Sequence, residues 1–198
     1  MYRKTCIGLG AIEKKAVEYG ASAARIIPAR MISVEDEIVE LCKPPLCEGY
    51  GKSAHCPPNV ISPREAREWI GQFKKALLFK INVPGEILLG ESQFEIFRKV
   101  YEIASELEGF LIEAGYSLAK GFAAGSCKPV FCKKVPCRAL INRGSCRVPS
   151  LARPSMEALG MNVFKLVRDA GWEVYPIGRD SDPKEIPQGL LAGLVIVG

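Results

Sequence analysis

The stretch SCKPVFCKKVPCRALINRGSCRVPSLARP, residues 126 to 154, constrains this chain more than any other. It sets Cys127, Cys132, Cys137 and Cys146 within twenty positions, beside seven Lys or Arg residues and no Asp or Glu. Four thiolates at short intervals make a cage for a metal ion or a cluster, and basic neighbours suit the negative charge of such a cage. The spacing then recurs. Cys42, Cys47 and Cys56 are separated by four and then eight residues, as are Cys132, Cys137 and Cys146, and each member of one set lies ninety positions from its counterpart.

A chain of 198 residues can bury a core of its own, so a disulfide staple is not required. We expect one compact unit over 1–198. Its longest apolar run, Leu190 to Val197, has the length of a strand and not of a membrane span. The opening MYRKTCIGLGAIEKK is charged and lacks the uninterrupted apolar core of a secretion signal, which leads to the expectation of a reducing cytoplasm. There, regularly spaced cysteines read as metal ligands, not disulfides. The net charge of +5 is modest and gathers near the cysteines, so binding to nucleic acid or membrane is not expected.

Periodicity predicts the elements. Leu9, Ile12, Ala16 and Tyr19 fall at helical spacing before Gly20, and a strand follows over Ala23 to Ile27. Met31 to Leu41 suits a helical turn or a strand equally. After the first cysteines, Ser62, Pro63 and Glu65 form a capping box with proline at the first helical position. That helix turns Ala66, Trp69, Ile70 and Phe73 inward, and Lys75 to Val83 reads as a buried strand. The second half repeats the order. A long helix striped by Phe94, Phe97, Val100, Tyr101, Ala104, Leu107 and Leu111 ends at Gly115, and Tyr116 to Phe122 is a strand. The four-cysteine loop comes next. A helix from Pro154 follows, striped by Met156, Leu159, Val163, Leu166, Val167 and Ala170, then strands over Trp172 to Ile177 and Leu190 to Val197. We therefore expect an α/β fold of two repeated α-β-cysteine loop-α-β halves, roughly 9–83 and 92–177, sharing a mixed sheet. Each half starts a helix soon after its last cysteine, which would aim the helix dipole at an anionic cluster.

Gaps of four and eight lack the close pairs of zinc ribbons and span a wider object, so two iron–sulfur clusters of the [4Fe–4S] type are expected, with zinc as the alternative. The first group then needs a fourth ligand. Cys6 is one candidate. Glu37 is another, because it lies ninety positions before Cys127. A first site held by three cysteines alone would leave one iron open to a substrate. His55, beside Cys56, reads as a turn residue, and Glu113 and Glu157 as caps or surface charges. Of Lys128, Lys133, Lys134, Arg138, Arg143, Arg147 and Arg153, most read as a solvated basic loop, a few as donors to cluster sulfurs or docking points for an acidic partner. GYGKSAH over 49–55 is not a phosphate-binding loop, because Leu46 stands where its first glycine belongs. GLGAIE over 8–13 lacks the third glycine of a dinucleotide fingerprint.

CKPPLCEGYGKSAHCPP, with RPSMEALGMNV after the second cysteine group, resembles the predicted metal-binding proteins called domain of unknown function 2284. The resemblance runs from the first helix to the terminal strand. It implies metal binding, of iron–sulfur type, through Cys42, Cys47 and Cys56 and through Cys127, Cys132, Cys137 and Cys146. It does not extend to Cys6. The leading expectation is an iron–sulfur protein that exchanges electrons with a redox protein or enzyme. Its rivals are a zinc-stabilised module that binds nucleic acid or protein, and an enzyme that uses an open iron of the three-cysteine cluster.

Overall fold

Two strands with no polar face dictate the architecture, because a strand apolar on both sides has to be covered on both sides. The computed structural model describes residues 8–90, 92–141, 144–175, 177, 182, 186 and 188–198. Its elements in chain order are α1 (Leu9–Glu18), β1 (Ala23–Pro28), α2 (Asp36–Glu40), α3 (Pro63–Ile70), β2 (Lys75–Val83), α4 (Gly85–Leu89), α5 (Gln93–Glu113), β3 (Ala119–Phe122), α6 (Cys127–Phe131), α7 (Val163–Asp169) and β4 (Gly189–Val197). The apolar strands β2 and β4 lie side by side, antiparallel, with Lys75 opposite Val197 and Val83 opposite Gly189. β1 flanks β2 and β3 flanks β4, giving the order β1-β2-β4-β3.

Alternation along the central strands divides the core into two layers. Leu77, Phe79, Ile81, Val195 and Val197 face one way and pack with Ile12 and Ala16 of α1 and with Val100, Ala104, Leu107 and Leu111 of α5. Ala76, Leu78, Leu194 and Ile196 face the other way and meet Ala66 and Ile70 of α3, Leu166 and Val167 of α7, and Met156 and Met161. Gly193 pairs with Phe79 across the sheet, and any side chain there would overlap the Phe79 ring. The order of strands is unchanged when β1 is exchanged with β3 and β2 with β4. Under the same exchange α1 and α5 keep one face of the sheet, and α3 and α7 the other.

Several expectations need correction. Every strand pair is antiparallel, so the sheet is not mixed. Trp172 to Tyr175 is irregular, and the strand beside β2 in the second half is β4. The remainder of the expected strand, to Ile177, lies only in part within the described residues. The long helix from Pro154 is instead a 3-10 turn, Glu157–Leu159, then Gly160 in the left-handed region (φ 86°), then α7. A Cβ on Gly160 would stand 2.7 Å from the Glu35 carbonyl oxygen, so both its conformation and its surroundings demand glycine. The strand expected from Tyr116 begins only at Ala119. Met31 to Leu41 resolves into the end of a 3-10 turn, Ala29–Met31, and the short helix α2.

Candidate metal centre

Each cysteine loop is shaped by its own backbone before any metal is considered. In the first, Cys42 closes the end of α2 with its N–H on the Val39 carbonyl (2.9 Å), and Cys47 donates to Lys43 (3.3 Å). Gly51 N–H reaches the Pro57 carbonyl at 2.7 Å, and Cys56 N–H the Ser53 carbonyl at 3.2 Å. In the second, Ser126 accepts from Lys128 N–H to open α6, with Cys127 as the first helical residue. Cys132 N–H returns to Lys128, and the Lys128 ammonium donates to the Cys132 carbonyl at 2.6 Å. Arg147 holds the Pro136 carbonyl, also at 2.6 Å. Basic side chains thus fold the loop by capping its carbonyls, a task the sequence did not disclose.

The loop is tied to the core at both ends. Tyr101, on α5, donates its hydroxyl to the Gly125 carbonyl at 2.7 Å. Arg153, buried, grips Glu108 of α5 with two nitrogens, each 3.0 Å from a carboxylate oxygen, and also donates to the Pro149 and Ala152 carbonyls.

The two loops meet. The hydroxyl of Ser53, buried in the first loop, lies 3.1 Å from the Cys127 sulfur of the second, and the Cys56 sulfur lies 3.2 Å from the Ser126 hydroxyl. Nδ1 of His55 is 3.7 Å from Cys127 Sγ, so the histidine is the turn residue that was expected and also a neighbour of the thiols. Backbone N–H groups also point at sulfur: Gly49 donates to Cys47 Sγ at 3.3 Å, and Val148 to Cys146 Sγ at 3.4 Å. Such donors stabilise a thiolate more than a thiol.

Around this junction the cysteines line two different cavities. Cys127, Cys132, Cys137 and Cys146 line one narrow cavity of about 40 Å³, together with His55, Lys128, Arg138 and Arg147. Cys42, Cys47 and Cys56 line a wider one of about 410 Å³, whose walls include Ile38, Leu41, Tyr50, Phe97, Leu191 and Glu157. None of the seven described cysteines is in a disulfide. Among the described residues, no three His, Cys, Asp or Glu side chains converge closely enough to hold a single ion. The thiols share cavities without meeting at a point.

Burial pushes the thiols of Cys42 and Cys127 up to about 11, reinforced at Cys42 by the charges of Cys47 and Glu157 and at Cys127 by those of Cys56 and Cys146. Burial raises Cys56 as well and lowers His55, which therefore stays neutral near pH 7. A metal that binds these thiols has to displace their protons, so its uptake releases protons and strengthens as pH rises. In donor chemistry the residues fit a thiolate-bound metal group: seven sulfurs, backbone N–H groups donating to two of them and serine hydroxyls beside two more, and cations along the smaller cavity.

Of the two candidates for a fourth ligand of the first group, Glu37 is exposed on α2 and lines neither cysteine cavity. Cys6 lies outside the described residues, as does Arg143. The residues that open α3 line neither cavity, and no α-helix starts soon after Cys146, so helix dipoles do not address this site as expected. Glu157 was read as a cap or surface charge, yet its carboxyl is buried. The only hint of it in the sequence is its place in the Arg-Pro-Ser-Met-Glu-Ala segment, beside the left-handed Gly160.

The sequence model of a family described as "Predicted metal-binding protein (DUF2284)" matches residues 25–192, well over half of the chain. No curated protein and no solved structure matches it. No helix among the described residues is long and apolar enough to cross a membrane.

Proposed function

The chain belongs to this predicted metal-binding family, and on that premise we propose that it is an iron–sulfur protein with two cysteine-ligated sites, each of the [4Fe–4S] type, that passes electrons to or from a redox partner in the cytoplasm. One observation carries the reading: four cysteines set apart in sequence line one cavity together with Lys128, Arg138 and Arg147. A cluster bound there would supply one-electron redox chemistry at a potential set by charge and by hydrogen bonds to sulfur. The protein's contribution is then to hold the thiolates, offset their charge with those cations, and donate from Val148 N–H and the Ser53 hydroxyl. Contact between the loops through Ser53 and Ser126 supports the reading, since electron passage between two sites requires them to be close. The narrow space around the four cysteines implies that the exposed turn over 133–141 gives way as the group is taken up.

The same reading takes the chain as a duplicated unit, with Cys132, Cys137 and Cys146 as copies of Cys42, Cys47 and Cys56. Support comes from the strand order that is unchanged on exchange of the halves, and from the pairing of α1 with α5 and of α3 with α7 on opposite faces. A second reading, an enzyme with substrate at an open iron of the first site, is favoured by the wider, apolar cavity beside Cys42, Cys47 and Cys56.

Anaerobic purification with metal and sulfide analysis tests the proposal. The expected protein is brown, holds several irons and sulfides per chain, and gives an electron paramagnetic resonance signal on reduction. Cys132→Ser should remove the second set of irons and Cys42→Ser the first. Colourless protein with tightly held zinc would reject the iron–sulfur reading.

A further inference from the structure

Among the described residues, one buried side-chain oxygen or nitrogen has no hydrogen-bond partner, and it is Oε2 of Glu157. A buried carboxyl oxygen left unmatched is costly, so a folded protein that keeps one calls for a reason. The wall on which Glu157 sits supplies it. Glu157 lines the same cavity as Cys42, Cys47 and Cys56. These three thiols are one donor short of a four-iron cluster's usual set.

We infer that Glu157 is the fourth protein ligand of the first site, giving its free carboxylate oxygen to the iron that has no cysteine. The inference rests on the iron–sulfur reading above and makes the first site Cys₃Glu, where the second is Cys₄. The 3-10 turn Glu157–Leu159 fixes the position, stopped by Gly160 and held by the Met156 carbonyl bond to Leu159 N–H at 3.1 Å. Met161 then pairs with Val34 in an isolated bridge, anchoring the turn to the segment that leads into α2 and Cys42. One structural device therefore sets both the carboxylate and the first cysteine. On ligation the carboxylic O–H bond breaks, an O–Fe bond forms and the proton leaves to solvent, with no change of oxidation state. A carboxylate holds iron less firmly than a thiolate, so this iron is the exchangeable one, and the cavity of about 410 Å³ is its approach.

The test uses the full chain, loaded anaerobically with ⁵⁷Fe and sulfide, as wild type, Glu157→Gln and Glu157→Cys. Mössbauer spectra of the wild type should contain one iron distinct from the thiolate-bound irons. Glu157→Gln, with circular dichroism unchanged, should lose that component, retain about one iron fewer per chain, and develop a [3Fe–4S] resonance on mild ferricyanide oxidation. Glu157→Cys should restore the iron and make it spectroscopically ordinary. A Gln variant that matches the wild type in iron count and spectrum overturns the carboxylate role while leaving the iron–sulfur reading intact. Should that variant not fold, a wild-type spectrum with thiolate-bound irons alone overturns it equally. A wild type that takes up no iron and sulfide overturns the underlying reading, and this inference with it.

Discussion

Arg153 shows how much of this site depends on a residue that binds no metal. Its guanidinium is buried, pairs twice with Glu108, and donates to two carbonyls of the segment after Cys146. Glu108 in turn accepts from Gly121 N–H at 2.6 Å, so the pair links α5, β3 and the cysteine loop. Breaking a buried pair by removing one partner strands the other. Arg153→Met should therefore lower stability by about 3 kcal/mol in urea unfolding, and should release metal from the second site before the first. From sequence alone Arg153 was one of seven basic residues in a loop, because a guanidinium signals charge and not the carbonyls it will cap. The cysteines were legible for the opposite reason: their chemistry and spacing carry the meaning, whatever the path between them.

At the scale of elements, what could be read was what local sequence determines. The capping box of α3 is present in full, with Ser62 Oγ accepting from Glu65 N–H and Glu65 accepting from Ser62 N–H at 2.8 Å. Ser62→Ala should cost about 1 kcal/mol, seen as a lower urea midpoint with an unchanged slope. Bonds from Ser62 hold the Glu65 carboxyl below its ordinary range. Its contribution is complete above the unfolded carboxylate value of 4.5 and is lost as pH falls through the lower folded value, so the gap between wild type and Glu65→Gln should narrow in acid. Elements set by distant partners were not legible. Trp172 to Ile177 has the apolar residues of a strand, but β4 occupies the position beside β2, and Trp172 lies instead in contact with the Lys80 ammonium, 5.4 Å from its ring centroid. The stripe of Met156, Leu159, Val163 and Leu166 continues across Gly160, so periodicity joined two pieces that a left-handed residue separates. Strand direction is likewise a property of the assembled sheet, since a connection that includes a helix closes an antiparallel pair as well as a parallel one.

Over the whole molecule, the decisive feature is reciprocity between the halves. A serine of the first loop, Ser53, bonds a cysteine of the second set, while a serine of the second loop, Ser126, accepts from the thiol of Cys56 in the first and would donate to that sulfur once it is deprotonated. Hydrogen bonds to a ligating sulfur stabilise the more negative, reduced state and raise the potential. If each is worth about 1 kcal/mol, its loss from a one-electron couple amounts to about 40 mV, taking 59 mV per tenfold change. Ser53→Ala should then lower the potential of the site that contains Cys127, and Ser126→Ala that of the site that contains Cys56, each by up to about 40 mV. The crossing is what makes the expectation specific: each substitution acts on the site to which its own loop contributes no cysteine. Redox titration followed by electron paramagnetic resonance, with Cys42→Ser and Cys132→Ser used to assign the two signals, measures both shifts. A Ser53→Ala protein whose shift falls on the signal lost in Cys42→Ser would mean that the loops do not exchange donors, and that each site draws its hydrogen bonds from its own half.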